Sequence, residues 1–358
     1  MIRRMRFRFY TTTGESLDVM LRAMRKAEKS IRLEHFILNM DDSGLAFIDV
    51  LRERARAGVD VRVMVDAAGS YTLWTSPGIV SDMRKDGVKI EFFNTFIFGP
   101  IRFHATLFFR DHSKLLIVDG TIGFTGGICI VEAYKGWRDT MIEIEGDVVG
   151  EMSETFSRIW RWKGKRWYEQ RNARQSLEGT SYVRNLPLPG QHQLYHRVME
   201  AIRNSKKSVY ITTPYFVPNG ELRRVLALAA HRGVDVRILV PLASNHRFVD
   251  YGAQSFYAQM LRLGIKIYRY RHAMMHAKSA VIDGEWATVG SMNFDCLSLI
   301  YNIEANVVST DQRLVDELSQ QFAVDTSDAS LLTEEMWKNR PFMDKIRSLI
   351  FRTVRMYL

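Results

Sequence analysis

Hydrophobic and polar positions along the chain follow two alternating patterns, one typical of buried strands and the other of amphipathic helices. The apolar run SIRLEHFIL at residues 30–38 is followed by the helical pattern LAFIDVLRERARAG at residues 45–58. A second strand pattern, VDVRVMV, comes directly after the glycine that ends the helical pattern. Strand and helix patterns alternating at this spacing predict β–α–β units and a mostly parallel β-sheet.

The same order of patterns occurs again in the C-terminal half of the chain. ARAGVDVRVMV at residues 55–65 matches AHRGVDVRILV at 230–240, and MRKDGVKIEFF at 83–93 matches MLRLGIKIYRY at 260–270. An internal repeat of this kind indicates that each half forms one structural unit. We therefore expect an α/β protein of two lobes related by a pseudo-twofold axis, each a mostly parallel β-sheet flanked by helices.

The composition of the chain changes between the two halves. Residues 166–192 are rich in Gln, Asn, Arg, Gly and Pro, which is typical of a connecting segment. The first lobe is therefore expected over residues 1–165 and the second over residues 193–358.

Charge and cysteine content narrow the classes of partner and location. Lys and Arg number 50 against 40 Asp and Glu, so the net charge of +10 favours an anionic partner: nucleic acid, an acidic membrane surface or a phosphorylated substrate. Two cysteines, Cys129 and Cys296, argue against a disulfide framework.

The apolar runs are far shorter than the roughly 20 residues that span a bilayer. With no signal-peptide pattern either, a cytoplasmic protein is expected.

Each half also carries a histidine and a lysine two positions apart at the start of an apolar strand pattern. The two segments are HSKLLIVDG at residues 112–120 and HAKSAVIDG at residues 276–284. Side chains at positions i and i+2 of a strand project to one face, so each histidine and lysine can point at one site. If the lobes face each other, both pairs converge in one cleft. The paired residues are His112, Lys114 and Asp119 in the first copy and His276, Lys278 and Asp283 in the second.

Two histidines and two lysines in one cleft are suited to phosphoryl transfer. One imidazole can attack phosphorus while the other protonates the leaving oxygen, and lysines can neutralise the nonbridging oxygens. Histidine fits both tasks because its unperturbed pKa is about 6.5.

Small and polar residues follow each motif at the same distance. Seven residues after each motif aspartate comes GGIC at residues 126–129 or GSMN at residues 290–293. Exposed backbone N–H groups and polar side chains in these segments could hold a phosphate. The candidate substrate-binding residues are Gly126, Gly127, Cys129, Ser291 and Asn293.

Two acidic residues are candidates to orient the imidazoles. Asp139 lies 27 residues after His112, and Glu304 lies 28 residues after His276. A carboxylate bound to the far nitrogen of each ring would fix its tautomer and hold the ring in place.

The paired HxKxxxxD motifs with their GSxN-like segments resemble those of the phospholipase D superfamily over nearly the whole chain. WRDTMIEIEG at residues 137–146 and TPYFVP at 213–218 are similar to the bacterial cardiolipin synthase branch. The resemblance implies a covalent phosphohistidine on one histidine, acid and base catalysis by the other, and no metal or other cofactor. It also implies that Asp119 and Asp283 are structural.

Three positions depart from the pattern of that family. Cys129 stands where the family often has Asn, Ala133 lies near a usual acidic position, and Leu297 stands where Arg is common. The phosphate pocket of the first lobe is therefore expected to be weaker or differently tuned.

Several segments are candidates for lipid contact. The first lobe has an apolar insert at residues 94–109, the chain ends in a basic amphipathic helix pattern at 340–358, and WRWKGKRWYEQR occupies 160–171. The insert could instead be a hairpin packed in the core, and the C-terminal pattern could be a helix packed on its own domain. The aromatic and basic cluster could instead cap a helix or bind nucleic acid. Asn245 and His246 follow a strand that should end near the cleft, where they could touch a headgroup.

The leading hypothesis is a cardiolipin synthase-type phosphatidyltransferase that joins two phospholipids through a phosphohistidine. Phosphatidylglycerol is the expected donor and acceptor. The family resemblance implies His112 as the nucleophile, and the alternative is the reversed assignment with His276 in that role. The expected location is peripheral, on the anionic inner face of the cell membrane, and nucleic acid is not favoured as a partner. One alternative is a phosphodiesterase that hydrolyses lipid or nucleic acid; another is an inactive lipid-binding protein, against which the two intact motifs weigh.

Overall fold

The computed structural model describes residues 5–95, 109–161, 179–341 and 345, which form two α/β lobes. The strands are β1 (Arg6–Thr12), β2 (Ser30–His35), β3 (Asp60–Asp66), β4 (Lys89–Phe93), β5 (Lys114–Val118), β6 (Ile122–Gly126), β7 (Arg138–Glu145), β8 (Thr180–Asn185), β9 (Ser208–Thr212), β10 (Asp235–Pro241), β11 (Lys266–Tyr270), β12 (Ser279–Ile282), β13 (Trp286–Gly290), β14 (Glu304–Ser309) and β15 (Ala329–Leu332).

The helices alternate with these strands as the repeat predicted. They are α1 (Thr13–Arg25), α2 (Asp42–Arg56), α3 (Tyr71–Trp74), α4 (Pro77–Lys85), α5 (Val148–Arg161), α6 (Gln193–Asn204), α7 (Gly220–His231), α8 (Arg247–Arg262), α9 (Gln312–Ser327) and α10 (Glu334–Lys338), with a 3-10 turn at Glu132–Tyr134 and a π-helical turn at Leu297–Tyr301.

Equivalent helices in the two lobes begin in the same way. The side chain of Asp41 accepts a hydrogen bond from the backbone N–H of Gly44 at the start of α2, and Asn219 accepts one from Leu222 at the start of α7. Each cap satisfies a backbone donor that the helix itself leaves unpaired. The two βαβ units are therefore built alike from the sequence upward.

The sheets have the same strand order, which confirms the two-lobed α/β fold. The first is β1-β7-β6-β5-β2-β3-β4 and the second is β8-β14-β13-β12-β9-β10-β11-β15, so only β15 is additional. The sheets are mixed, however, and the expectation of mostly parallel sheets was wrong. Parallel pairing is confined to β2, β3 and β4 in one lobe and β9, β10 and β11 in the other.

Tight hairpins explain the antiparallel part of each sheet. Strand β5 turns into β6 at Asp119 and Gly120, whose φ values are 54° and 68°, and β12 turns into β13 at Asp283 and Gly284, with φ values of 57° and 69°. Two successive residues with positive φ form the turn that joins neighbouring antiparallel strands. The helical crossovers that the sequence showed account only for the parallel strands.

One strand lies inside the segment that was expected to connect the lobes. Residues Thr180–Asn185 form β8 and pair antiparallel with β14, as β1 pairs with β7 in the first lobe. The polar composition on either side of this short strand obscured its pattern. We therefore propose that the second lobe begins by Thr180, before the expected start at residue 193.

A shared hydrophobic core joins the two sheets. It includes Leu115 and Ile142 from the first sheet and Val281 and Val307 from the second, together with residues of α5 and α9. Each fully buried aliphatic side chain contributes about 1.5–3 kcal/mol. Because Leu115 belongs to β5 and Val281 to β12, burial of this core holds the two sheets that carry the motif strands together.

Most of the candidate lipid-contacting residues lie outside the described residues. This holds for residues 96–108 of the insert, for the aromatic and basic cluster from residue 162 onward, and for the C-terminal segment beyond 341 apart from Lys345. Within the described ranges, no helix combines the length and apolar character required to cross a bilayer.

Candidate active site

Reciprocal backbone hydrogen bonds join the two motif segments across the lobe interface. The N–H of His112 donates to the carbonyl of Ile303 at 2.9 Å, and the N–H of His276 donates to the carbonyl of Arg138 at 2.7 Å. Each histidine therefore lies beside the first part of a strand from the opposite lobe.

The same crossing pairs each imidazole with a carboxylate of the other lobe. Nδ1 of His112 lies 2.9 Å from Oε1 of Glu304, and Nδ1 of His276 lies 2.7 Å from Oδ2 of Asp139. Both carboxylates are fully buried. A carboxylate at Nδ1 favours the tautomer with its proton there, which leaves the Nε2 lone pair available for chemistry. The structure thus brings together both histidines and both predicted carboxylates, in crossed pairs.

The two motif lysines are buried beside their histidines. Nζ of Lys114 donates to the backbone carbonyl of His112 at 2.8 Å, while Nζ of Lys278 lies 2.9 Å from Nδ1 of His276 and also donates to the His276 carbonyl. Burial lowers the pKa of Lys278 to about 8, against the opposing effect of Asp139. The cleft therefore holds cationic groups with little solvent to screen them.

Charged groups of each lobe change the pKa of the histidine in the other lobe. Burial, together with the charges of Lys278 and Lys114, lowers the pKa of His276 to about 3, against the opposing effect of Asp139. Burial also lowers the pKa of His112, with Glu304 opposing and both lysines adding to the effect. Both imidazoles are therefore neutral near pH 7.

The glycines after the motifs allow close approach between strands. A Cβ at Gly127 would lie 2.2 Å from Oδ1 of Asp139, and one at Gly126 would lie 2.3 Å from the carbonyl oxygen of Thr140. The backbone N–H of Gly127 donates to Thr140 at 3.2 Å. The expectation of an exposed N–H at Gly127 was therefore wrong, since this glycine makes room for the carboxylate that holds His276.

The second segment supports the other carboxylate in a similar way. The hydroxyl of Ser291 donates to Oε2 of Glu304 at 2.5 Å, and its backbone N–H donates to the carbonyl of Ala305. Both donors of Ser291 are used within the protein, contrary to the expectation that they face a phosphate. Asn293 differs, because its buried Oδ1 has no partner among the described residues. Cys129, the counterpart of Asn293, is a buried thiol that lies 3.9 Å from the carbonyl of Gly127.

The motif aspartates bind the backbone far from the imidazoles. The carboxylate of Asp119 accepts hydrogen bonds from the N–H groups of Glu28, Lys29 and Ser30. In the second lobe, the carboxylate of Asp283 accepts equivalent bonds from Lys206, Lys207 and Ser208. Each carboxylate thereby ties a hairpin turn to the start of the neighbouring parallel strand.

Replacing Gly127 with alanine will test the close contact behind His276. The added Cβ cannot coexist with Asp139 in its present position, so we expect a loss of about 1–3 kcal/mol in the free energy of unfolding. Urea titration followed by circular dichroism measures this loss. Gly150→Ala is the matched control, because Gly150 lies in α5 with open space around its Cβ position. Equal stability of the two variants would contradict the contact.

Several aromatic residues around the site were not predicted from the sequence. The rings of Trp137 and Tyr215 lie 5.2 and 6.5 Å from that of His276, and Phe36 lies 4.8 Å from His112. Trp137 and Tyr215 fall in the segments WRDT and TPYFVP, and the similarity of these segments to cardiolipin synthases was the signal that could have identified them.

Two buried ion pairs across the lobe interface were also missed. Arg138 donates two hydrogen bonds to Asp325 at 2.8 and 2.6 Å, and Arg184 donates to Glu34 at 2.5 Å. The paired residues are 187 and 150 positions apart, so nothing in the sequence connects them.

A duplicated α/β fold in which crossed hydrogen bonds join one histidine and lysine motif from each lobe defines a phospholipase D-like protein. Comparison with known proteins agrees. A family model described as "Cardiolipin synthase, PLD-like domain" matches residues 20–160 and 198–326. The chain therefore belongs to the cardiolipin synthase family of phospholipase D-like proteins. This membership confirms the predicted enzyme class, a phosphatidyltransferase.

Individual relatives cover most of the chain. It is 32% identical over 353 residues to "Probable cardiolipin synthase YwiE" of Bacillus subtilis (strain 168), a match that covers 94% of this chain and 69% of that protein. It is also 32% identical over 360 residues to a cardiolipin synthase of Geobacillus kaustophilus (strain HTA426), covering 96% of this chain and 70% of the relative.

Solved structures support the fold at lower identity. Phosphatidylserine synthase of Haemophilus influenzae Rd KW20 superposes with a TM-score of 0.77 and 14% identity, over 98% of this chain and 93% of that one. Polyphosphate kinase of Porphyromonas gingivalis gives a TM-score of 0.64 and 15% identity, over 99% of this chain and 53% of that one. At these identities the likeness concerns the two-lobed fold.

Proposed function

We propose that this protein is a cardiolipin synthase that joins two molecules of phosphatidylglycerol through a phosphohistidine at His112. The observation that carries the proposal is the pair of crossed contacts, in which each imidazole is held at Nδ1 by a buried carboxylate of the opposite lobe. This arrangement leaves two Nε2 atoms for reaction. The curated relatives named as cardiolipin synthases favour lipid as the substrate.

In the first step, Nε2 of His112 attacks the phosphorus of phosphatidylglycerol. A P–N bond forms and the P–O bond to the glycerol headgroup breaks, while His276 donates a proton to the departing oxygen. The products are phosphatidyl-His112 and free glycerol. His112 alone is not sufficient, because glycerol would then leave as a strongly basic alkoxide. Protonation by His276 lets it leave as a neutral alcohol.

In the second step, a headgroup hydroxyl of another phosphatidylglycerol takes the position of the departed glycerol. His276 removes its proton, the oxygen attacks phosphorus, and the P–N bond to His112 breaks. Cardiolipin is released and both imidazoles return to their starting states. His276 acts as acid and then as base at one location, as microscopic reversibility requires.

The charges of the cleft explain how His276 can become an acid. Burial and the charges of Lys278 and Lys114 lower the pKa of His276. A phosphodiester carries a negative charge that offsets Lys114 and Lys278, so substrate binding raises the pKa of His276 toward the working range. Lys114 and Lys278 then stabilise the charge that develops on the nonbridging oxygens.

The substrate and the overall charge place the protein at a membrane in this proposal. Phosphatidylglycerol is an anionic lipid that stays in the bilayer, and the chain carries a net charge of +10. Basic proteins are attracted to anionic lipid surfaces. We therefore propose peripheral association with the inner face of the cell membrane.

Product analysis on phosphatidylglycerol vesicles tests the proposal. Purified protein should produce cardiolipin and glycerol in equal amounts, measured by mass spectrometry of the lipid and aqueous phases. Single-stranded DNA in a parallel reaction should remain intact. Phosphatidic acid without cardiolipin would instead identify a hydrolase, and cleaved DNA with unchanged lipid would identify a nuclease.

A further inference from the structure

The two imidazoles have different surroundings. His112 lies edge-on to Phe36, with ring centroids 4.8 Å apart, and Nζ of Lys114 lies 5.5 Å from the centre of the same phenyl ring. His276 instead lies 5.2 Å from the indole of Trp137 and 6.5 Å from the phenol of Tyr215. A motif lysine lies beside each histidine, but the ring at His112 is a plain phenyl, whereas the rings near His276 carry polar groups.

Polar groups on the His276 side form a connected set drawn from both lobes. The hydroxyl of Tyr215 donates to Oδ1 of Asn245 at 2.6 Å. Tyr134 stacks on Trp137 with centroids 3.6 Å apart, and its phenol lies near enough to Asn245 for that amide to act on the pKa of Tyr134. Asn245 therefore links the 3-10 turn of the first lobe to the segment after β9 in the second. We call Tyr134, Tyr215 and Asn245 the hydroxyl-binding set.

These groups are suited to a neutral alcohol rather than to an anion. Burial raises the pKa of Tyr215, and burial also raises that of Tyr134, so both phenols stay neutral and can donate and accept hydrogen bonds. An amide side chain adds both kinds of group. Aromatic faces such as that of Trp137 cover C–H groups, which a polyol presents between its hydroxyls.

We propose that the hydroxyl-binding set, with Trp137 beside it, is the subsite that binds the glycerol headgroup and selects polyols over simple alcohols. The inference rests on the proposed function, because His276 must protonate the leaving alcohol and deprotonate the attacking one. Both alcohols therefore occupy the space next to His276, where the ring of Tyr215 lies with Asn245 bound to its hydroxyl. This subsite gives a physical reason for placing the acid and base at His276 and the nucleophile at His112.

A competition between two alcohols in one reaction tests this assignment. Vesicles of phosphatidylglycerol are incubated with deuterated glycerol and propan-1-ol at equal concentrations. Mass spectrometry then measures labelled phosphatidylglycerol against phosphatidylpropanol. The ratio of these products does not depend on the amount of active enzyme, so partial misfolding of a variant leaves it unchanged.

Tyr215→Phe and Asn245→Ala should each lower the glycerol-to-propanol ratio about fivefold, the effect of losing one neutral hydrogen bond. Tyr268→Phe in β11 and Asn204→Ala at the end of α6 are the matched controls and should keep the wild-type ratio. Wild-type ratios in both Tyr215→Phe and Asn245→Ala would overturn the subsite while leaving the proposed function intact. If the wild-type protein makes neither product, the proposed function fails and the subsite with it.

Discussion

His112→Ala will reduce the rate of cardiolipin formation by about 10⁴-fold or more. The variant lacks the nitrogen that forms the bond to phosphorus. The rate is measured from cardiolipin produced on phosphatidylglycerol vesicles over time. His231→Ala is the matched control, because His231 is an exposed residue at the end of α7.

The structure predicts that this loss is chemical rather than structural. His112 is only partly buried, and Glu304, which would lose its imidazole partner, keeps the hydroxyl of Ser291. Thermal unfolding of His112→Ala should therefore stay cooperative, near the wild-type midpoint. A variant that unfolds normally and still makes cardiolipin at more than a tenth of the wild-type rate would exclude His112 as the nucleophile.

His276→Ala will reduce turnover by about 10²- to 10⁴-fold, the usual contribution of a general acid or base. The loss should depend on the leaving group. A phosphatidyl donor with a nitrophenol headgroup needs no protonation, so the first step should recover with it and release nitrophenol in a burst equal to the enzyme concentration. Turnover should then stall, because no base activates the second alcohol.

A reversed assignment of the two histidines gives the opposite pattern. In that case His112→Ala, rather than His276→Ala, would show the burst with the activated donor. Absorbance of the released nitrophenolate in a stopped-flow instrument distinguishes the two patterns. A burst from neither variant would contradict a covalent intermediate on either ring.

The repeat made most of the fold and the motif residues of the site predictable from the sequence. Periodic patterns identified both βαβ units, and the identical spacing of His112 and Lys114 with His276 and Lys278 identified the motif residues. Local signals of this kind depend on neighbouring residues along the chain. The hairpins at Asp119 and Asp283 were not recognised, since the turns are short and the strands around them are apolar on both faces.

Hydrogen bonds between residues far apart along the chain could not be predicted from the sequence. Asp139 and Glu304 were recognised as candidate partners, yet the crossing is a property of the interface: 192 residues separate His112 from Glu304, and 137 separate Asp139 from His276. Backbone bonds to Ile303 and Arg138 bring each carboxylate to the ring of the other lobe. Only the assembled sheets reveal that contact.

The glycine and serine segments show how one composition can serve two purposes. Small residues are typical of phosphate-binding loops, because they expose backbone donors. At Gly127 the lack of a side chain admits Asp139, and at Ser291 the hydroxyl holds Glu304. Distinguishing these purposes requires the position of the neighbouring strand, which the sequence of the segment does not contain.

Direct identification of the phosphorylated residue tests the central claim, that imidazoles from two lobes act on one phosphorus. His276→Ala protein is mixed with the nitrophenyl donor, quenched in alkali, digested and analysed by tandem mass spectrometry. The account predicts one phosphatidyl group per chain, attached to His112. A label on another residue, or no label despite a nitrophenol burst, would contradict it.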